Sequence, residues 1–382
     1  MNNEEGNKAS TMKTVLATGS QGFLGKNVTV SLKRRAGINV IEHDLDSLPG
    51  NLERGLASAE VIFHLAGVNR PERVEEFMEG NFAFTRQICV ALRQLDRAPL
   101  LMLSSSTQAA LDNPYGLSKR QAEEVVFDFG RETGAPVFVF RLPGVFGKWC
   151  RPNYNSVVAT FCHNIARDLP IAISDPAIEI ELVHIDDVVR AFVGVMDGRP
   201  PVTDGKYCLV KPTYRVSLGQ LAQTIRGFRD SRVNLTLPDM SNPFTRALYA
   251  TYVSYLPPDS FAYALTQRSD PRGELAELLK SPHIGQIFVS RTRPGITRGN
   301  HYHDTKVEKF VVLEGDALIR FRHILGGDII EYPVSGREFR VVDIPPGYTH
   351  AIQNTGQDEL IVLFWADEIF DPDIPDTFGM TV

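Results

Sequence analysis

The chain has 382 residues, of which 43% are hydrophobic, 23% charged and 9% aromatic, and its 40 basic and 46 acidic side chains give a net charge of −6. This composition excludes disordered and collagen-like chains, and the acidic balance argues against non-specific nucleic-acid binding, which needs a basic face. The length predicts two domains, and because no apolar run reaches the ~20 residues that span a bilayer, we expect a soluble cytoplasmic protein without a membrane partner.

The first part of the chain has the pattern of an α/β domain. Residues 1–11 are polar and acidic, which predicts a flexible tail. From residue 12 to about 245, short apolar runs alternate with amphipathic segments, which predicts a doubly wound parallel sheet and a clear helix over Tyr115–Thr133. The predicted strands are Thr14–Thr18, Ile38–Glu42, Val61–Leu65, Leu100–Ser104 and Val137–Arg141.

The pattern changes after residue 245. Residues 246–271 are predicted to be a linker, because Tyr and Pro cluster in Tyr249–Pro258, and a short helix is predicted over Arg272–Lys280. Short alternating strands between Gly and Pro turns then predict a β-sandwich or barrel. These strands are Gln286–Ser290, Glu308–Leu313, Ala317–His323, Ile329–Pro333, Glu338–Val342 and Leu360–Trp365.

A glycine-rich turn, Gly19-Ser20-Gln21-Gly22-Phe23-Leu24-Gly25, joins the first predicted strand to the first helix. Glycines there allow a tight turn and let backbone N–H groups approach a pyrophosphate at the helix N-terminus. The residues predicted to contact a dinucleotide are Gly19, Gly22, Phe23, Leu24 and Gly25. The alternative interpretation is a turn of the same composition that binds nothing.

Tyr115 and Lys119 lie four residues apart at the start of a predicted helix, so both side chains share one face. A nearby ammonium lowers the pKa of a phenol, which makes a tyrosine usable as a general acid or base. The run Ser104-Ser105-Ser106 ends a strand at the carboxyl edge of the sheet, where a hydroxyl could hydrogen-bond a substrate carbonyl. The alternative is a chance Tyr-x-x-x-Lys pair on a solvated helix.

Four side chains of the C-terminal region have the spacing of a metal site. His301 and His303 point to the same face of a strand, Glu308 begins the next one, and His350 follows a Pro-Gly turn. Three imidazoles and a carboxylate suit zinc or another divalent metal. Such an ion either serves chemistry or only ties the strands together.

The N-terminal segments resemble the extended short-chain dehydrogenase/reductases that act on nucleotide sugars. The resemblance implies that Tyr115 donates a proton to a sugar keto oxygen while a nicotinamide donates hydride, and that Lys119 holds the ribose and lowers the tyrosine pKa. Ser106 would fix the carbonyl, with Ser105 as the alternative. The residues implied to line the cofactor also include Leu65, Ala66 and Gly67.

The resemblance leaves the choice of nicotinamide open. Asp44 is either the ribose carboxylate that favours NAD or an adenine-side residue. Lys33, Arg34 and Arg35 either supply charge for a 2′-phosphate or form a solvated helix end. These residues leave the choice between NADPH and NADH open; the family resemblance given below implies NADPH, with NADH as the alternative.

The spacing Gly295-x5-His301-x-His303-x4-Glu308-x6-Gly315, followed by Pro345 to Asn354, resembles the two cupin motifs, with Phe339 in place of an expected glycine. It implies a jelly-roll barrel over 272–382. Arg298–Tyr302 also resembles a segment of non-metal deoxysugar epimerases whose histidine removes a proton next to a ketone. We assign His301 to the metal, because a metal occupies the lone pair that a base needs. The candidates for proton transfer, each of which is otherwise a surface or rim residue, are Tyr302, Lys306 and Tyr348.

The two parts together resemble one family, the bifunctional capsular-polysaccharide CapF enzymes and their O-antigen relatives. Shared segments include Asn113–Gly116, Phe146–Cys150, Pro152–Ser156, Thr297–Phe310 and Phe370–Pro372. The resemblance implies an enzyme that epimerises carbon 3 of a UDP-4-keto-6-deoxy-N-acetylhexosamine in the cupin half. The other half then reduces the carbon-4 ketone with NADPH, on the route to UDP-N-acetyl-L-fucosamine.

The resemblance also implies a homodimer and a UDP-sugar substrate. The residues predicted to contact that substrate are Asn69, Asn155, His184, Tyr302 and Lys306. For His184 the alternative is the capped start of a helix. The family has a basic residue near the end of its second strand, where this chain has Asp44. Two rival functions are a reductase whose cupin only stabilises a dimer, and a binding protein without turnover.

Overall fold

The computed structural model describes residues 12–382, so the predicted tail over 1–11 lies outside the described residues. The chain forms two compact units. The first unit comprises residues 12–225 with Ala247–Leu256, and the second comprises Arg226–Arg246 with Pro257–Val382. The chain therefore passes between the units three times, where the sequence predicts a single linker.

The first unit is built of alternating strands and helices. Its strands are β1 (Lys13–Thr18), β2 (Ile38–His43), β3 (Val61–His64), β4 (Leu100–Ser106), β5 (Val137–Leu142), β6 (Gly144–Phe146), β7 (Glu179–His184), β8 (Val202–Asp204), β9 (Tyr207–Leu209) and β10 (Tyr214–Ser217). The helices up to residue 253 are α1 (Phe23–Lys33), α2 (Asn51–Ser58), α3 (Phe84–Gln94), α4 (Pro114–Thr133), α5 (Val157–Ile165), α6 (Ile185–Met196), α7 (Leu218–Asn234) and α8 (Pro243–Val253). Among residues 12–382, no helix has both the length and the apolar character needed to cross a membrane.

The main sheet of this unit has the order β2-β1-β3-β4-β5-β9-β8 and is parallel except for β8. Alternating side chains feed two apolar cores, so that Ile62 packs on one face and Phe63 on the other. β2 lies on one side of β1 in the sheet, and the next strand of the chain, β3, lies on the other side of β1. Ligands of such sheets bind at this change of direction, beyond the carboxyl ends of the strands. The Rossmann prediction is therefore confirmed.

The second unit consists of antiparallel sheets. Its strands are β11 (Gln267–Asp270), β12 (Gly273–Ser281), β13 (Gly285–Thr292), β14 (Thr297–Tyr302), β15 (Glu308–Glu314), β16 (Asp316–His323), β17 (Ile330–Ser335), β18 (Val341–Ile344), β19 (Tyr348–Asn354), β20 (Leu360–Ala366) and β21 (Phe378–Gly379). They form a six-stranded sheet, β11-β12-β13-β20-β15-β18, and a five-stranded sheet, β17-β16-β19-β14-β21. A common apolar core draws on both sheets, with Phe310 and Phe364 from the first and Ile319 and Ile352 from the second.

Three local predictions differ from the structure. The helix predicted over Arg272–Lys280 is wrong, because these helix-forming residues lie in β12 between β11 and β13, and tertiary pairing overrides weak propensity. The stretch Tyr249–Pro258, predicted as part of a linker, begins in α8, where Tyr252 is buried. The strand predicted over Glu338–Val342 starts later, at Val341.

Candidate active site and metal centre

The carboxyl edge of the main sheet borders a cavity of about 750 Å³. Most of the residues predicted to bind cofactor or substrate in this unit line it. They are Gly19, Gly22, Phe23, Leu24, Gly25, Leu65, Gly67, Asn69, Ser106, Tyr115, Lys119 and Asn155. The structure thus brings together residues that lie up to 136 positions apart in the chain, from Gly19 to Asn155.

The glycine turn leaves no room for larger residues. Gly19 has a φ of +68°, and a Cβ there would lie 2.6 Å from the backbone of Ala66. A Cβ on Gly25 would lie 2.0 Å from the Gly19 carbonyl oxygen. The backbone of Ala66 therefore packs directly on the glycine turn. The close packing leaves the N-terminus of α1 facing the cavity, as a pyrophosphate requires.

Tyr115 occupies the first turn of α4. Asn113 caps this helix by accepting a hydrogen bond from the Gly116 N–H at 2.8 Å, and Pro114 at the first helical position favours the start there. The Tyr115 ring lies 5.5 Å from that of Phe77. Burial raises the pKa of Tyr115, and a hydrogen bond with Ser106 opposes this shift. Tyr115 is therefore protonated at neutral pH, which is the form that can donate a proton.

The structure separates the two serines that the sequence left as alternatives. The Ser105 hydroxyl donates a hydrogen bond to the buried carboxylate of Glu123 at 2.5 Å. The Ser106 side chain is half-buried, lines the cavity and hydrogen-bonds Tyr115. Ser106 is thus the serine whose hydroxyl lies beside the phenol.

Lys119 lies one turn after Tyr115 and is buried. Its ammonium donates a hydrogen bond to the Ser104 carbonyl oxygen at 3.2 Å. Burial lowers the pKa of Lys119 to about 8, and the charge of Glu123 opposes this shift. Behind it, burial and the charge of Lys119 lower the pKa of His64 to about 3. His64 is therefore neutral, and its ring nitrogens bond the hydroxyls of Thr18 and Thr85.

Asn81 belongs to this site and was missed in the sequence. It lies in a π-helical turn, Met78–Ala83, and its amide bonds the backbone of Val68 and the hydroxyl of Ser118. A Cβ on Gly67 would lie 2.6 Å from the Asn81 carbonyl oxygen and 2.9 Å from the Lys119 nitrogen, so the two side chains meet across Gly67. No periodicity marks such a turn in the sequence, although π-turns are frequent at functional sites.

Beneath Lys119, the buried Glu123 forms an ion pair with the half-buried Arg141. The Arg141 guanidinium donates hydrogen bonds of 2.9 and 2.6 Å to the two carboxylate oxygens. It also stacks on the Tyr207 ring at 3.6 Å. The pair joins α4 to β5 just below the catalytic candidates, so it holds the helix that carries them.

We predict that Glu123→Ala lowers the free energy of unfolding of the first unit by about 2–3 kcal/mol, because it removes the buried carboxylate that accepts two charged hydrogen bonds from the half-buried Arg141 guanidinium. Urea denaturation measures this. Glu132→Ala is the matched control, because Glu132 pairs with Arg93 but its side chain is 56% exposed. This substitution should lower the free energy of unfolding by less than about 1 kcal/mol. Equal effects of the two substitutions would contradict a stabilising role for the pair of Glu123 and Arg141.

Besides Ala66, two predicted residues of this unit, Asp44 and His184, are absent from the cavity lining. Asp44 follows β2, and its carboxylate accepts a hydrogen bond from the Gln21 N–H at 2.7 Å. His184 is the residue before α6, with Asp186 and Asp187 in the first turn, which is the helix-start interpretation of that segment. His184 is absent from the cavity lining, which ends at Leu182 on β7.

The basic residues at the end of α1 have other neighbours in this structure. Lys33 pairs with Glu42, and Arg35 pairs with Asp197 at 2.8 Å. Arg34 lines a separate cavity of about 370 Å³ between α1 and α6. Two of the three cations thus pair with carboxylates and the third faces a different cavity, which favours the solvated helix end; a 2′-phosphate role for them stays a prediction.

The second unit assembles the four predicted metal ligands. The donor atoms of His301, His303, Glu308 and His350 all lie within 4.8 Å of one another. His301 and His350 are register neighbours on β14 and β19, and Glu308 begins β15 in the other sheet. A Glu308 carboxylate oxygen lies 3.4 Å from His303 Nε2 and 3.6 Å from His350 Nε2. Tetrahedral zinc with bonds of 2.0–2.1 Å requires ligand separations of about 3.4 Å.

The donor set fits a divalent metal chemically as well. The Nε2 atoms of His303 and His350 are buried and have no hydrogen-bond partner among the described residues. Such orphaned nitrogens are costly unless an ion takes their lone pairs. Burial lowers the pKa of His301 and lowers that of His350 to about 4. Both imidazoles are thus neutral at pH 7, the form that binds metals.

The C-terminal segment orients His303, which the sequence did not reveal. The His303 Nδ1–H donates to the Asp376 carbonyl oxygen, which directs Nε2 towards the cluster. The Asp376 carboxylate accepts hydrogen bonds from the N–H groups of Asp304, Thr305 and Lys306 at 2.8–2.9 Å. One residue therefore fixes the turn that separates His303 from Glu308.

Lys306 and Tyr302, which were predicted to contact the substrate, lie in different surroundings from each other. Lys306 is buried, and its ammonium donates to the Thr377 hydroxyl at 3.3 Å. Tyr302 lies between the two histidines, so strand alternation turns it to the opposite face, where its ring stacks on Phe378 at 5.2 Å. The geometry therefore does not bring Tyr302 to the donor set.

Comparisons with known proteins cover both parts of the chain. Residues 15–203 match the NAD dependent epimerase/dehydratase family, and residues 268–378 match the polysaccharide biosynthesis C-terminal domain. The crystal structure of capsular polysaccharide assembling protein CapF from Staphylococcus aureus is 42% identical, with a TM-score of 0.91 over 96% of this chain and 100% of that one. The chain belongs to the CapF family.

Other members and fold relatives extend the comparison. A Pseudomonas aeruginosa CapF relative named UDP-2-acetamido-2,6-beta-L-arabino-hexul-4-ose reductase is 49% identical over 96% of this chain and 98% of its own length. UDP-glucuronic acid 4-epimerase from Bacillus cereus, solved with UDP-glucuronic acid and NAD, is 16% identical, with a TM-score of 0.52 over 63% of this chain and 98% of that one. The latter likeness shows a shared fold.

Proposed function

We propose that this CapF-family chain epimerises carbon 3 of a UDP-4-keto-6-deoxy-N-acetylhexosamine and then reduces its carbon-4 ketone with a nicotinamide. The observation that carries the proposal is the presence of two assembled sites in one chain. The first unit holds Ser106, Tyr115 and Lys119 at the edge of a cavity, and the second holds a buried set of three histidines and a glutamate. The name of the Pseudomonas relative supports the reductase half.

In the reductase half, a bound nicotinamide supplies the hydride for carbon 4. Tyr115 donates its phenolic proton to the carbon-4 oxygen, and the Ser106 hydroxyl donates a hydrogen bond to the same oxygen. The Lys119 ammonium holds the cofactor ribose and stabilises the phenolate that Tyr115 leaves behind. The Asn81 carbonyl oxygen and the Lys119 nitrogen both lie close to Gly67, and we propose that Asn81 limits the movement of the ammonium.

In the other half, which we propose to be a cupin barrel, the chemistry sets the order of steps. The carbon-4 ketone acidifies the proton on carbon 3, so epimerisation must precede reduction. A divalent ion held by His301, His303, Glu308 and His350 supplies positive charge to this site. We propose that Lys306 contacts the sugar nucleotide there. The product would enter the route to UDP-N-acetyl-L-fucosamine for a capsule or O-antigen.

The second candidate is a reductase without epimerase activity. The name of the Pseudomonas relative, which mentions reduction alone, favours it. In that case the metal only stabilises the second unit.

One experiment separates the two candidates. The protein is incubated in D₂O with a UDP-4-keto-6-deoxy-N-acetylhexosamine, with and without NADH or NADPH, and the products are followed by NMR. Deuterium at carbon 3 without nicotinamide, and a reduced carbon 4 with it, support the bifunctional enzyme. Reduction without any exchange at carbon 3 leaves the reductase alone. If neither exchange nor reduction occurs, both candidate functions are ruled out.

The pKa shifts predict a pH limit for the reductase half. Lys119 has a pKa of about 8 and must be charged to hold the ribose, whereas Tyr115, with its raised pKa, stays protonated well above that. We therefore expect kcat/KM for reduction to be constant below pH 8 and to fall about tenfold per pH unit above it. Nicotinamide binding should weaken with the same apparent pKa. A profile that stays flat to pH 10 would contradict this role for Lys119.

A further inference from the structure

The carboxyl end of β2 places an acidic side chain against the glycine turn. β1 and β2 are parallel, and Thr18 is the register partner of His43. Gly19 and Asp44 are therefore the first residues after neighbouring strand ends. One Asp44 oxygen accepts a hydrogen bond from the Gln21 N–H at 2.7 Å, and the other accepts one from Leu45 N–H at 2.9 Å. The carboxylate is therefore held at the turn that faces the cavity.

The Asp44 carboxylate can accept further hydrogen bonds, such as those from the two hydroxyls of a ribose. A carboxylate offers about four lone-pair sites, of which the two hydrogen bonds use one on each oxygen. The Asp44 N–H is also fixed, since it donates to the Ser47 hydroxyl at 2.7 Å. Asp44 is half-buried and follows Gly25 by 19 positions. An acidic residue about 20 positions after a glycine turn accepts the hydroxyls of an adenosine ribose.

Among residues 12–382, no basic side chain forms an ion pair with Asp44 at this end of β2. The segment reads His43-Asp44-Leu45-Asp46, with a second carboxylate exposed. Of the three cations at the end of α1, Lys33 pairs with Glu42 and Arg35 pairs with Asp197, and Arg34 lines the separate cavity described above. Lys26 lines the cavity as the fourth residue of α1, near the helix N-terminus where a pyrophosphate is held.

We propose that Asp44 makes this enzyme selective for NADH over NADPH, by accepting hydrogen bonds from the ribose hydroxyls and repelling a 2′-phosphate. The inference rests on the proposed function only in that a nicotinamide dinucleotide binds the glycine turn. It gives this chain the opposite preference to the one implied by its family resemblance. A like charge placed against the phosphate costs about 100-fold or more in affinity.

The test measures binding as well as turnover. Dissociation constants of the intact protein for NADH and NADPH are determined by calorimetry, and kcat/KM is measured with each. NADH should bind about 100-fold more tightly than NADPH, and kcat/KM should follow the same ratio. Because binding requires no sugar substrate, tight NADH binding without turnover would refute the proposed function and leave this inference standing. Equal or tighter binding of NADPH by the wild-type protein would overturn the inference.

Two substitutions test whether Asp44 causes the preference for NADH over NADPH. Asp44→Asn removes the charge with little change in shape, and it should bring the two dissociation constants to within about tenfold. Asp46→Asn is the matched control, since Asp46 carries the same charge two residues away, and it should keep the wild-type ratio. Circular dichroism confirms that both variants fold. An unchanged ratio in a folded Asp44→Asn variant would also overturn the inference.

Discussion

Tyr115→Phe is expected to lower the rate of nicotinamide oxidation by about 10³-fold, because it removes the proton donor for the carbon-4 oxygen. The phenyl ring keeps its contact with Phe77, 5.5 Å away, so the helix start and the cavity wall remain. Nicotinamide binding should stay within about twofold, since the ammonium that holds the ribose belongs to Lys119. Deuterium exchange at carbon 3 should be unchanged, because that reaction is assigned to the second unit.

Single-turnover absorbance measures the oxidation, and calorimetry measures the binding. Tyr263→Phe is the matched control, because Tyr263 lies in the second unit, where it packs under Arg232 at 4.5 Å, and its hydroxyl has no assigned role. It should retain full activity. Reduction at the wild-type rate by Tyr115→Phe would remove Tyr115 from the mechanism, and a parallel loss of carbon-3 exchange would show that the substitution disturbs more than the proton transfer.

The sequence predicts the parts of the site that depend on local spacing. Tyr115 and Lys119 share a helical face because of the period of 3.6, and the glycine turn and serine run lie at strand ends that a parallel sheet brings to one edge. The four donor residues likewise lie in two short segments, and the structure assembles them within 4.8 Å. Each of these predictions needs only a local conformation and a general topology.

The rest depends on contacts between distant residues, which no local period encodes. Ser105 and Ser106 are indistinguishable in the sequence, and the contact of Ser105 with Glu123, 18 positions away, separates them. The contact of Asp376 with His303 spans 73 positions. The wrongly predicted helix over Arg272–Lys280 has the same cause, because hydrogen bonds to β11 and β13 decide its conformation.

The second large effect concerns the metal centre. His303→Ala is expected to weaken zinc binding by about 100-fold or more, since loss of even an outer partner of a ligand costs 10–100-fold. The affinity is measured by competition with a chromophoric chelator, and the metal content by elemental analysis. His283→Ala is the matched control, because His283 is exposed and outside the donor set, and it should bind one ion with the wild-type affinity.

The same variant separates a catalytic ion from a structural one. An ion present at 100 times its dissociation constant stabilises the folded state by about 2.7 kcal/mol, so the second unit should unfold at lower urea when the ion is lost. Below that transition the metal-free variant is folded, and its deuterium exchange at carbon 3 can be measured there. We expect exchange to be lost in the folded variant and in wild-type protein treated with chelator, and to return in the wild type when zinc is added. Exchange that persists in folded, metal-free protein would make the ion structural, and the orphaned nitrogens of His303 and His350 would then serve the stability of the second unit alone.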